Sequence, residues 1–155
     1  MNVKDTARKQ YVRIVDRAAA QLRNCHRPQD GWLALLRRAL GMSGANVAAR
    51  MGVSRNAVYQ AERNEREGAI TIAQMRKIAE AMGAEFVYAV IPKKGSVEDV
   101  IRTQAQRKAE ARVRRASSHM ALESQSLPSE QTRGRIEDLA EKLVRDMPPD
   151  FWEVK

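Results

Sequence analysis

The 155-residue sequence predicts a mainly α protein, and three observations carry that expectation. Apolar residues recur at spacings of three and four along most of the chain. Hydrophobic residues make up 43% but aromatics only 5%, so the core draws on Ala, Val, Leu, Ile and Met, side chains that suit helices. A single stretch, residues 84–92, reads as β. The length fits one domain, or one small domain with appended helices, and excludes a large catalytic architecture.

Residues 1–30 supply a helix over 5–24 and a loop. Tyr11, Ile14, Val15, Ala18 and Leu22 share a stripe, Asp5 is placed to cap it, and Pro28 and Gly31 in CHRPQDG end the pattern. Residues 31–83 pack four short helical patterns, separated by Gly41, Gly52 and the polar stretch 64–68. Trp32, Leu33, Leu35, Leu36 and Leu40 serve the first; Val47, Ala48 and Met51 the second; Val58 and Ala61 the third. The fourth opens on Thr71 and Gln74, a capping-box pair, and runs through Met75, Ile78, Ala79 and Met82 to Gly83.

Residues 84–92, AEFVYAVIP, are rich in Val, Ile, Phe and Tyr and stop at Pro92, the pattern of a strand. A lone strand leaves its backbone donors and acceptors unpaired, and nothing else in the chain looks able to pair with it. Phe86, Val87, Tyr88 and Val90 are therefore expected in a strand paired with its copy across a homodimer; the alternative is an extended segment lying over the helices. Residues 93–155 add C-terminal helices for dimer or partner binding. The first spans 96–125, with Val97, Ile101, Ala105, Ala109, Val113, Ala116 and Met120 on one stripe, before Leu127-Pro128-Ser129 breaks it. The last shows Ile136, Leu139, Ala140, Leu143, Val144 and Met147 on a clean face. Beyond Pro148-Pro149, Phe151 and Trp152 are candidate anchors for a protein partner, or else fold back onto the chain's own core.

A net charge of +9, from 28 basic and 19 acidic residues, favours a polyanionic partner. By segment the balance is +4 over 1–30, +3 over 31–91, +4 over 92–127 and −2 over 128–155. The basic run 107–115 has three readings: a wider DNA footprint, an acidic protein surface, or an anionic membrane, the last disfavoured by its alanine-rich stripe. One cysteine excludes an internal disulfide framework, and no run approaches membrane-spanning length, so a cytoplasmic location is expected. One Cys and two His cannot complete a zinc site, no glycine-rich phosphate cradle is present, and no nucleophile–base pair is visible. Glu65, Glu67 and Glu137-Asp138 are expected on solvated loops or polar helix faces. No enzyme activity, cofactor or metal is expected.

The informative stretch is MSGANVAARMGVSRNAVYQAE, residues 42–62. A helix-turn-helix needs a small residue where the helices cross, a turn residue that takes positive φ, and apolar residues joining the second helix to the first. Ala48, Gly52, Val53, Val58 and Ala61 meet those needs, with Val53 expected as a core plug and Ser54 at the N-cap. Over roughly residues 32–83 the sequence resembles the Cro- and phage-repressor-type helix-turn-helix family. The resemblance implies a compact helix-turn-helix bundle, with Arg55, Asn56 and Gln60 reading bases in the major groove and Tyr59 at its edge. The residue types fit: Arg bonds bidentately to guanine, Asn and Gln to adenine. Ser43, Asn46, Ser54, Asn64 and Arg66 are the candidate backbone contacts, and Arg37 with Glu62 the structural ion pair. Such proteins often carry Gln where this chain has Gly44, which removes one expected contact.

More widely, ARKQYVRIVDRA, GWLALLRRALGMSGA, FVYAVIP and HMALESQ are similar to segments of the small regulators called mobile mystery protein A. That resemblance implies an antitoxin-like repressor of its own operon, a palindromic operator and a Fic-domain protein as partner. The alternative function is a protein-interaction antitoxin whose helix-turn-helix is only a scaffold. The Ser/Thr-x-x-x-Glu-Gly/Asn inhibitory string of some Fic antitoxins has its nearest matches at Ser126–Gln131 and Arg63–Gly68, each failing at one position.

Overall fold

The computed structural model describes residues 3–122 and 129–153. Among them the chain is all-helical: α1 (Val3–Leu22), α2 (Trp32–Ala39), α3 (Gly44–Met51), α4 (Arg55–Glu67), α5 (Ile72–Ala81), α6 (Val97–Leu122) and α7 (Ser129–Asp146). The Leu127-Pro128 break, Ser126 and the end of HMALESQ lie outside the described residues. The chain divides into two compact units, Gln21–Ala89 and Met1–Ala20 with Val90–Lys155.

In the unit Gln21–Ala89, α2 to α5 close on Leu33, Val47, Ala48, Val58, Ala61, Met75, Ile78 and Met82. Helices as short as α2 and α3, eight residues each, are marginal alone, so caps and packing hold them. Ser43 Oγ accepts from Asn46 N at 3.1 Å and Ser43 N donates to Asn46 Oδ1 at 2.7 Å, a two-way capping box. Ser54 and Thr71 cap α4 and α5 by accepting from Ala57 N and Gln74 N, each at 3.1 Å. Gly52, at φ 66°, ends α3 in the left-handed region, and Val53 N then donates back to Ala48 O at 3.1 Å.

The start of α2 is closed by a residue of α4. Glu65 accepts from Trp32 N at 2.6 Å and from Leu33 N at 3.0 Å, placing a carboxylate at the positive end of a helix. Gly31 is required there twice over: its φ is 84°, and a Cβ would stand 2.8 Å from the Glu65 carboxylate. Glu65 is thus buried, against the solvated position its charge suggests. The polar stretch 64–68 is likewise helical as far as Glu67, and Arg27 donates to the Glu65 carbonyl at 2.9 Å.

Three apolar expectations change in this unit. Trp32, Leu35 and Leu40 are half-exposed, because Leu33, Ala34 and Arg37 take the inner face of α2. Val53 is 42% exposed at the turn, so the core there is filled without it. Residues 84–92 form no strand, since a ladder needs a second strand and the described residues supply none. Phe86 turns back onto the core instead, while Val87, Tyr88 and Val90 stay exposed.

In the other unit, α6 and α7 pack through Ile101, Ala105, Ala109 and Leu143, with Phe151 of the tail completing the core. Alanines one turn apart let the partner side chains approach the α6 backbone closely. Ser96 caps α6, and Asp16 of α1 accepts from Val97 N at 2.9 Å. On α1, Tyr11 and Ile14 point to solvent, whereas Ala19 is buried and Val12 and Val15 are half-buried, so the inner stripe is rotated from the expected one. No helix among the described residues is long and apolar enough to cross a membrane.

Candidate nucleic-acid interface

The periodicity of α4 sorts its residues into two faces. Val58, Ala61, Glu62 and Glu65 are buried, which turns Arg55, Asn56, Tyr59, Gln60 and Arg63 outward. Arg55 and Asn56, in the first turn, are exposed, and their side chains make no hydrogen bond or ion pair among the described residues. Gln60 Nε2 donates to Asn64 Oδ1 at 2.9 Å, and Arg63 Nη1 reaches Gln60 Oε1 at 3.4 Å, so these amides are pre-aligned by their neighbours.

The inner face is held by charge. Arg37 of α2 meets Glu62 of α4 in a two-pronged pair, Nε to Oε1 at 2.5 Å and Nη2 to Oε2 at 3.1 Å, both residues buried. Arg37 Nη1 also donates to Met42 O at 3.1 Å. The hydrogen bond to Glu62 raises the Arg37 pKa, so the guanidinium stays charged. Its carbon lies 5.5 Å from the Tyr59 ring centroid, a cation–π contact that fixes the phenol.

Tyr59 in turn explains Gly44. A Cβ at position 44 would come within 2.6 Å of the Tyr59 ring, so a larger residue and this ring exclude one another. The phenol thus lies against the start of α3. Nothing local in the sequence announces this contact between residues on different helices.

The backbone candidates divide. Ser43 and Asn46 satisfy each other, and Ser54 caps α4, so their hydroxyl and carbonyl oxygens already have partners. The Arg66 side chain is exposed. Beside α4 lies a depression of about 330 Å³ that brings Gln60 and Asn64 together with Thr71 and Gln74 at the start of α5, over a floor that includes Ala57, Ala61, Ala69 and Ile70. In the sequence Thr71 and Gln74 signal only a helix cap.

Of the proposed dimer residues, Phe86 is half-buried and Tyr88 stacks on it, centroids 5.8 Å apart, with Arg76 5.9 Å from the Tyr88 ring. Phe151 is 1% exposed and belongs to the core, leaving Trp152, 55% exposed, as the solvent-facing member of that pair. No group of three or more His, Cys, Asp or Glu among the described residues could hold a metal ion, and Cys25 is exposed.

Residues 33–88 match the helix-turn-helix family, the Cro-type domain, over the segment that contains α3, its turn and α4. No curated protein and no solved structure matches the chain. A capped α3, a left-handed Gly52 and an α4 with one face buried and one open agree with that match in every element, and residues 33–88 are a helix-turn-helix domain, which supports double-stranded DNA as the ligand and transcriptional regulation as the role.

Proposed function

We propose that the protein is a sequence-specific repressor that reads its operator with Arg55, Asn56 and Gln60. The observation that carries this reading is the pair Arg55 and Asn56: both stand exposed and unbonded in the first turn of a helix whose opposite face is fully engaged. A guanidinium and an amide at that place suit guanine and adenine edges. Tyr59, Asn64 and Arg66 line the groove edge, with Ser43, Asn46 and Ser54 turning their remaining polar atoms and nearby amides to phosphate. The charge of +9 supplies the non-specific attraction.

A homodimer would set two copies of α4 one helical turn, about 34 Å, apart on a palindromic site. The exposed apolar side chains Val87 and Tyr88 support a copy-to-copy surface. In its finer form this is an antitoxin-like repressor of its own operon with a Fic-domain companion, supported by the segment resemblances. Footprinting on the DNA upstream of the gene tests the reading. A protected palindrome with half-sites one turn apart is expected; equal protection of random duplex would instead mean non-specific packaging. Co-purification with a Fic-domain product of the adjoining reading frame checks the companion.

A further inference from the structure

The tail of the chain holds an aromatic ring partly in solvent. Phe151 is buried, and its ring meets that of Trp152 edge to face, 4.9 Å between centroids at 88°. Polar ties hold the same tail to α6: Gln104 Nε2 donates to Phe151 O at 2.8 Å, Lys108 Nζ donates to the Asp150 carbonyl and pairs with its carboxylate at 2.9 Å, and Arg112 pairs with that carboxylate at 3.2 Å. Yet the indole these contacts position is 55% exposed. The indole is therefore held in place while part of its surface stays open to solvent.

Trp152 forms one wall of a groove of about 700 Å³, within the size range of small-ligand sites. Pro92 and Val100 extend the apolar surface, and Lys93, Lys94 and Arg107 bring three cations to it. Lys94 and Arg107 are exposed and have no ion pair among the described residues. The acid in the groove, Asp99, is turned to Ser96, whose N and Oγ both donate to its Oδ2, at 2.8 and 2.9 Å. Those bonds lower its pKa and hold it ionised, so the groove carries one carboxylate, turned toward Ser96, against its three cations.

We infer that this groove binds a nucleotide unit, its base stacked on Trp152 and its phosphate held by Lys94 and Arg107. A flat apolar wall beside clustered cations matches a planar base joined to a phosphate, since stacking is tolerant of base identity and a phosphate accepts from several donors together. A carboxylate-bearing peptide would use the cations and leave the indole without a planar partner. Free nucleotides and single-stranded nucleic acid share the required chemistry.

The test uses the full chain carrying Trp32→Phe, which leaves Trp152 the sole indole. The readout is its emission during titration with AMP, with a short oligothymidylate, with inorganic phosphate and with a poly-glutamate peptide. Saturable quenching by AMP or by the oligothymidylate is expected, the tighter of the two naming the source. Adding Lys94→Ala and Arg107→Ala should raise that Kd about tenfold or more with the thermal melt unchanged. Absence of saturation in the millimolar range, equal response to phosphate alone, tighter binding of the peptide, or a Kd indifferent to the two substitutions would each overturn the assignment.

Discussion

In the unit Gln21–Ala89 the charges folded inward on α4 are acids, Glu62 and Glu65, and the basic and amide side chains of that helix are left outside. In the unit that contains α6 and α7 the arrangement is reversed: Lys108 is pulled in, with Arg112 beside it, to hold Asp150 of the tail. A cation on α4 is therefore available to a ligand, whereas part of the basic run 107–115 is already committed to the chain's own structure. Counting charges along the sequence treats the two helices alike. Their partners separate them.

The largest effect that probes this contrast is removal of Glu62. Glu62→Ala leaves a buried guanidinium unpaired and should cost about 3–5 kcal/mol in chemical denaturation, loosening the domain before it changes sequence preference. Stability unchanged with altered preference would break the division between inner acids and outer bases. Glu65→Ala strips the acceptor from the Trp32 and Leu33 amides and should cost about 1–3 kcal/mol. Gly44→Ala crowds the Tyr59 ring and should cost about 1–3 kcal/mol, less when Tyr59 is already Ala; additive costs in that cycle would remove the proposed contact.

The tail clamp gives the smallest change and sharpens the other side of the comparison. The hydrogen bond from Lys108 holds the Asp150 carboxyl below its ordinary value, so its contribution is complete above the ordinary aspartate pKa of about 3.9 and fades as pH falls through the lower folded value. Trp152 emission in the Trp32→Phe background should report that acid transition. Asp150→Asn should abolish it; an unchanged transition would show that the clamp is not what titrates.

Much of the helix-turn-helix was legible because its signals are local. Ser54 and Thr71 cap within three residues, Gly52 marks the turn, and Val58 and Ala61 show the inner face of α4. Glu65 was legible in principle: Val58, Ala61, Glu62 and Glu65 fall at i, i+3, i+4 and i+7, a single helical face, but its charge argued for solvent. The fit of Tyr59 over Gly44 and the rotated stripe of α1 depend on which element packs opposite, and no spacing within one helix encodes that. Residues 84–92 carry strand-forming side chains, but a strand also needs hydrogen-bonding partners that the chain does not supply. At the candidate site the residue types came from the motif. Their availability came only from seeing which were already bonded.

The most direct test of the account is a salt-matched competition between the footprinted upstream site and a scrambled duplex of equal length, for the natural chain and for Arg55→Ala. The natural chain should prefer its site, and Arg55→Ala should lose about 1–3 kcal/mol of that preference with its melting unchanged. Equal binding of both duplexes by the natural chain, or a preference untouched by Arg55→Ala, would contradict base reading by the open face of α4.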